Sequence, residues 1–246
     1  MVLGGQTCAG APSQNPSRTL IATACQVPIM PLPVAHSLAS GIIYSSVDAD
    51  GSLFTWKRLL LAVFIANAPD LDFVPGLLIG EPNRFHHGPT HSLSMVLIVA
   101  GIAAGAAALG AGWPVRGRIS ARAVAGTALI VGALWLSHIL LDAFTEDLYG
   151  PLGVPLLWPF SDRYFLFYPW FPHVARYSGS SEPVAFLMSL LNPHNAWAAT
   201  VEILTLTPVL ALSMWWRRSS RDSVQRPAVD SNSVTPPIDT SPSKSD

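Results

Sequence analysis

His138 and Asp142 stand four residues apart in the stretch SHILLDAF. On a helix, that spacing puts an imidazole and a carboxylate on one face, about 5–6 Å apart at Cβ. Such a pair can share one metal ion, or it can stitch two helices together by a hydrogen bond. The surrounding residues are apolar, and an ionisable group inside an apolar span is costly to keep unless it has work to do. Asp70 and Asp72 follow Pro69 in ANAPDLDF. On extended backbone two such carboxylates point the same way and could bind a metal or bridge two ions. The competing reading makes one of them a carboxylate that satisfies free amides at a helix start. The stretch RFHHGPTHSL adds His86, His87 and His91. Gly88-Pro89 interrupts helical spacing there, so a turn is expected, with Thr90 capping the helix that follows. In the first turn of that helix the dipole favours neutral His91, the form that binds metal. His86 can curl back to the same ion, and His87 is expected at the surface. His36, in PVAHSLAS, is open to two readings, a packed histidine or a ligand. Glu202 lies inside the last apolar run and needs a partner: a metal, Arg163 or a histidine.

The elements that must position these groups are apolar. Half of the 246 residues are hydrophobic and only 12% are Asp, Glu, Lys or Arg, against roughly 25% in an average soluble domain. An all-α polytopic membrane protein is expected. Net charge is −1, so no basic surplus exists to attract nucleic acid, and none is expected as a partner. Cys8 and Cys25 are far from the histidines in sequence and form no CxxC pair, which argues against a thiolate zinc site.

Three runs have the length of about 20 apolar residues that crosses a bilayer: Leu93–Trp113, Ala123–Leu141 and Ala196–Trp216. Shorter runs, Val34–Val47 and Leu59–Ala68, are expected as short or re-entrant helices, and Val184–Leu191 is another short apolar piece. Residues 1–29 read as a disordered leader, 30–216 as the membrane-embedded domain and 217–246 as a disordered tail. Arg116, Arg118 and Arg122, then Arg217, Arg218 and Arg221, then Lys57 and Arg58 fall on one side of a simple threading. Basic loops mark the cytoplasmic side, so the C-terminus is expected there. The opposite side receives the ionisable groups. Arg84, Arg163 and Arg176 are exceptions to the charge rule. Eight aromatic residues crowd between Trp158 and Phe171. They read either as a lid over the ionisable cluster or as a plain interfacial belt.

Taken in order, AHS, APDLD, HHGPTHSL, SHILLDAFT and GVPLLWPF resemble the LexA-regulated, inner-membrane-bound metal-dependent hydrolases, the YdjM-like family. The resemblance covers roughly residues 30 to 216. That family shows an early His, then PD-x-D, H-R-G-x-T-H-S, H-x-x-x-D and G-V-P-L-L-W-P. It implies His36, Asp70, Asp72, His86, His91, His138 and Asp142 as metal ligands. The family's Arg within its third motif is His87 here, and about five extra residues separate Thr145 from Gly153. More distantly, the ligand order resembles that of the zinc phospholipase C and P1 nuclease group, although their terminal His-x-x-x-Glu is missing here.

The expected chemistry is hydrolysis of a phosphoester or lipid-like substrate at the surface of the inner membrane. One or two ions are expected, most simply Zn²⁺, with Mn²⁺ or Fe²⁺ open. A bound metal would activate water, Asp70 or Asp72 would orient it or bridge ions, and Arg163 would steady developing negative charge. A proton- or metal-coupled transporter and a metal-stabilised scaffold are the competing classes. A transporter should spread its ionisable groups through several depths.

Overall fold

The computed structural model describes residues 32–47, 55–80, 84–111, 119–145, 152–175, 184 and 188–225. Among them the architecture is helical, with two isolated bridges and no strand. The helices are α1 (Pro33–Val47), α2 (Trp56–Asn67), α3 (Phe73–Leu78), α4 (Leu93–Ala106), α5 (Ala121–Ala143) and α6 (Pro193–Gln225).

Among the described residues, four helical stretches are long and apolar enough to cross a membrane, one more than the three runs read from hydropathy: Trp56–Leu78, Leu93–Gly110, Ala121–Ala143 and Pro193–Ser219. The additional one arises at Pro69. Hydropathy alone ends a ten-residue run, Leu59–Ala68, just before that proline. The chain instead winds through a 3-10 turn, Ala68–Asp72, and continues into α3. Pro69 sits in the first positions of that turn, where its missing N–H is not needed. At the other end of the chain, helix continues past Trp216 through Arg217 and Arg218 to Gln225. Hence 217–225 is helical rather than part of a disordered tail. Residues 1–31 and 226–246 lie outside the described residues, as do both cysteines and the insertion at 146–151.

Small residues let the helices approach closely. A Cβ on Gly132 of α5 would stand 3.4 Å from Ala100 Cβ of α4. Tyr44, Ala62, Ala66, Ile130 and Leu134 form a core shared by α1, α2 and α5. Outward faces carry Leu60, Phe64, Leu97, Ile102, Leu204 and Leu212, all exposed, as lipid-facing helices require.

The starts of α1, α4 and α6 and the ends of α2 and α5 share one end of the bundle. The segment after α5 folds back over that end. Phe167 N–H donates to Ala143 O (2.7 Å), Trp170 N–H donates to Phe144 O (2.7 Å), and Leu93 N–H of α4 donates to Leu156 O (3.0 Å). Val154 and Phe165 exchange two backbone hydrogen bonds, which close a tight loop. Gly153 makes that closure possible. Its φ is +87°, and a Cβ there would lie 2.1 Å from Phe165 O.

Candidate metal centre

His138 projects from the last turns of α5, fully buried. Its Nδ1 lies 2.8 Å from the carbonyl oxygen of Ala66. A carbonyl only accepts, so Nδ1 carries the proton and the Nε2 lone pair is free for a cation. Asp142, one turn later, sets Oδ2 3.1 Å from that Nε2. The i,i+4 pair therefore sits on one face, as its spacing implies.

His91 comes from the 3-10 turn Pro89–His91 that leads into α4. The helix itself is capped by Ser92, whose side chain accepts from Met95 N–H, and not by the expected Thr90. Thr90 does other work. Its hydroxyl donates to Asp72 Oδ2 (2.8 Å) and stands 3.0 Å from His91 Nδ1, so it accepts from that nitrogen. His91 Nε2 is thereby left bare. It faces Asp142 Oδ2 at 3.1 Å, His138 Nε2 at 3.2 Å and Asp70 Oδ1 at 3.7 Å. Asp70 Oδ1 is also 3.4 Å from His138 Nε2.

Asp70, His91, His138 and Asp142 thus bring four electron-rich atoms together, all buried and within 4.8 Å of one another. The oxygens Asp70 Oδ1 and Asp142 Oδ2 have no hydrogen-bond donor. Like-natured lone pairs crowded in a dry site repel unless positive charge sits among them. Five of the six separations are 3.1–3.7 Å and the sixth is within 4.8 Å, which suits a four-coordinate ion. Bonds of about 2.0–2.1 Å give tetrahedron edges of about 3.3–3.4 Å. The residues present therefore fit a bound divalent metal. Burial works against charge on His91, yet the Asp142, Asp70 and Asp72 carboxylates hold its pKa well above the ordinary histidine value. A proton there answers the same demand for positive charge.

Asp70 and Asp72 do not point the same way. The backbone is a 3-10 turn, not extended, and two residues along such a turn rotate by about two-thirds of a circle. The carboxylates straddle His91, with Asp70 on the Nε2 side and Asp72 on the Nδ1 side. Asp72 Oδ1 lies 2.8 Å from His86 Nδ1 and Oδ2 lies 3.2 Å from His91 Nδ1. With His86 and His91, Asp72 makes a second grouping close enough to hold a cation. The 2.8 Å contact is a hydrogen-bond length, shorter than an edge between two metal ligands. His36, in the first turns of α1, stacks on His138 with ring centroids 3.8 Å apart and sets Nε2 3.6 Å from Asp142 Oδ1.

His87 was expected at the surface and is 5% exposed. It takes a left-handed backbone (φ 53°), uncommon for a residue with a side chain, which turns the ring inward. Nδ1 meets Gly153 O at 3.0 Å, so the segment after α5 holds it. Its Nε2 is buried without a hydrogen-bond partner. Burial keeps this imidazole well below its ordinary pKa. No sequence signal short of the left-handed conformation marks it. Glu202 is also fully buried, but its partners are backbone amides. Oε1 accepts from Leu32 N–H (2.6 Å) and Oε2 from Ala35 N–H (3.0 Å). It caps α1 instead of meeting a metal, Arg163 or a histidine. Arg163 is exposed on the covering segment and makes no ion pair with Asp70, Asp72 or Asp142.

A bundle of membrane-length helices with a buried His/Asp cluster at one end is an α-helical membrane protein with a candidate metal centre. A model of the YdjM inner membrane protein family matches residues 30–220. The chain belongs to that family. No curated protein and no solved structure matches it.

Proposed function

We propose that the chain is a membrane-bound metal-dependent hydrolase acting on a phosphoester or lipid-like substrate at the membrane surface. One observation carries the reading: Asp70 Oδ1, His91 Nε2, His138 Nε2 and Asp142 Oδ2 converge within 4.8 Å of one another, and neither carboxylate oxygen has a hydrogen-bond donor. Nitrogen and oxygen donors in near-tetrahedral array suit Zn²⁺. When bound, the ion lowers the pKa of water and polarises the scissile group.

The chain's own residues do the rest. Ala66 O and the Thr90–Asp72 pair fix which nitrogen of His138 and of His91 faces the site. Asp70 and Asp72 are the only carboxylates of the cluster with measurable side-chain exposure, 9% and 6%. Water therefore approaches from the Ala68–Asp72 turn, and Asp70 is the group placed to orient it. The rim supports a lipid-like substrate. Phe160, Tyr168 and Trp170 are 91%, 75% and 63% exposed on the segment covering this end, and amphipathic rings favour the headgroup region. Gathering of the ionisable groups at one end favours a surface site over a transport path.

The test is metal analysis of detergent-purified protein, with a panel of lipid and nucleotide phosphoesters. The wild type should hold stoichiometric metal and cleave a member of the panel. His138→Ala and Asp142→Ala should lose both properties. Metal-free wild type, or variants that keep metal and activity, would sink the proposal.

A further inference from the structure

Asp142 presents its two oxygens to different partners. Oδ2 faces His91 and His138, each at 3.1 Å. Oδ1 faces His36 Nε2 at 3.6 Å and has no hydrogen-bond donor. His36 is 0% exposed, and neither of its ring nitrogens has a hydrogen-bond partner. A buried imidazole with both nitrogens unsatisfied loses the hydrogen bonds it would make to water. Nothing in the four-atom cluster relieves this, because His36 does not belong to it. Packing does not explain the ring's direction either: it stacks on His138 so that Nε2 meets a carboxylate oxygen across a gap too long for a hydrogen bond. That gap is close to the edge between two ligands of one ion, about 3.3–3.4 Å for a tetrahedral site.

The position is built from outside the cluster. Glu202 holds the backbone amides of Leu32 and Ala35 at the start of α1, directly before His36. A carboxylate on a different helix therefore fixes where His36 stands relative to α5.

We infer that Asp142 bridges two divalent metal ions, with His36 Nε2 ligating the second, so that the centre is dinuclear. The inference rests on the metal-dependent reading above and goes further by assigning a second ion and its protein ligands. Two-metal sites clamp both the attacking and the leaving oxygen of a phosphoester, which suits the proposed substrate class.

Metal stoichiometry and metal–metal coupling decide it. Purified full-length protein is loaded with Mn²⁺, freed of excess metal, and examined by elemental analysis and electron paramagnetic resonance. Wild type should hold two ions per chain and show the signature of a coupled pair. His36→Gln, which keeps a polar side chain of similar size, should hold one ion with the spectrum of an isolated Mn²⁺. One ion in the wild type overturns the dinuclear assignment and leaves the metal-dependent reading standing. Two ions in His36→Gln overturn it as well, and none would place His36 on the first ion. A metal-free wild type overturns both readings. Should His36→Gln fail to fold, His36→Asn takes its place with the same expected loss of one ion, and two ions retained there overturn the assignment.

Discussion

At the scale of single residues, the histidines of the centre are set from behind. Asp72 touches the Nδ1 side of His91 and of His86, while the converging atoms are on the far side of the His91 ring. A carboxylate behind a ligating histidine fixes its tautomer and raises its basicity, and loss of such a group costs about 10–100-fold in metal affinity. Asp72→Asn should therefore weaken binding of the ion by about that factor without changing how many ions bind at saturation. Asp142→Asn, which alters a converging oxygen, should lower the stoichiometry itself. Competition with a chromogenic chelator separates the two. Equal loss of stoichiometry in both variants would make Asp72 a ligand. Much of this arrangement was legible in the sequence. His138 and Asp142 could be paired because helical spacing is rigid, and His91 because a proline turn and an apolar run bracket it. The division of labour between Asp70 and Asp72 was not legible. It depends on a 3-10 turn that rotates the two carboxylates apart, and the letters PDLD allow extended backbone equally well. His87 was misplaced for a related reason, since a left-handed residue reverses the side on which a ring emerges.

At the scale of elements, two devices outside the cluster determine its shape. One is the closed loop between Val154 and Phe165, which carries the carbonyl that holds His87. Gly153→Ala should break it. The new Cβ would meet Phe165 backbone, and a left-handed residue with a side chain costs about 1–2 kcal/mol even without a clash. A fall in thermal midpoint in detergent, larger than that of Gly105→Ala, is expected. Gly105 is the control because a Cβ there meets nothing within 4 Å. Equal midpoints would show that the loop closes without Gly153. The other device is Glu202 on α6, which caps α1. Glu202→Ala leaves two amides without their acceptor and should cost about 1–3 kcal/mol, whereas Glu202→Gln keeps one oxygen and should recover part of it. Chemical unfolding of the three proteins in one detergent measures the order; an alanine variant as stable as wild type would show that water caps α1 equally well. Sequence reading found Glu202 by its depth in an apolar run. The amides of α1 were invisible because they belong to backbone, which leaves no mark on a pattern of side chains.

At the scale of the whole molecule, the basic residues and the candidate centre occupy opposite ends of the helices. α2 begins beside Lys57 and Arg58 and leads to Asp70, α5 runs from Arg122 to Asp142, and α6 runs from the Glu202 end to Arg217 and Arg218. Arg122 and Asp142 are twenty residues apart, about 30 Å of helix at 1.5 Å per residue, the thickness of a hydrocarbon core. The polarity of α2, α5 and α6 therefore puts the centre and the basic ends on different faces of the membrane. Among the described residues, Lys57, Arg58, Arg122, Arg217, Arg218 and Arg221 belong to the basic ends, and Arg84 and Arg163 to the other side. We propose that this excess directs the basic ends to the cytoplasm; the centre would then open to the outer face of the inner membrane. This assignment can be read with single cysteines in a chain whose Cys8 and Cys25 are replaced by serine. Asp162→Cys, exposed on the covering segment, should react with a membrane-impermeant maleimide in intact spheroplasts. Ser219→Cys, exposed near the end of α6, should react only in inverted vesicles. The reverse labelling would turn the protein over, and the substrate would then have to be sought among cytoplasmic phosphoesters. Labelling of both positions from one face would contradict the span of α6 itself.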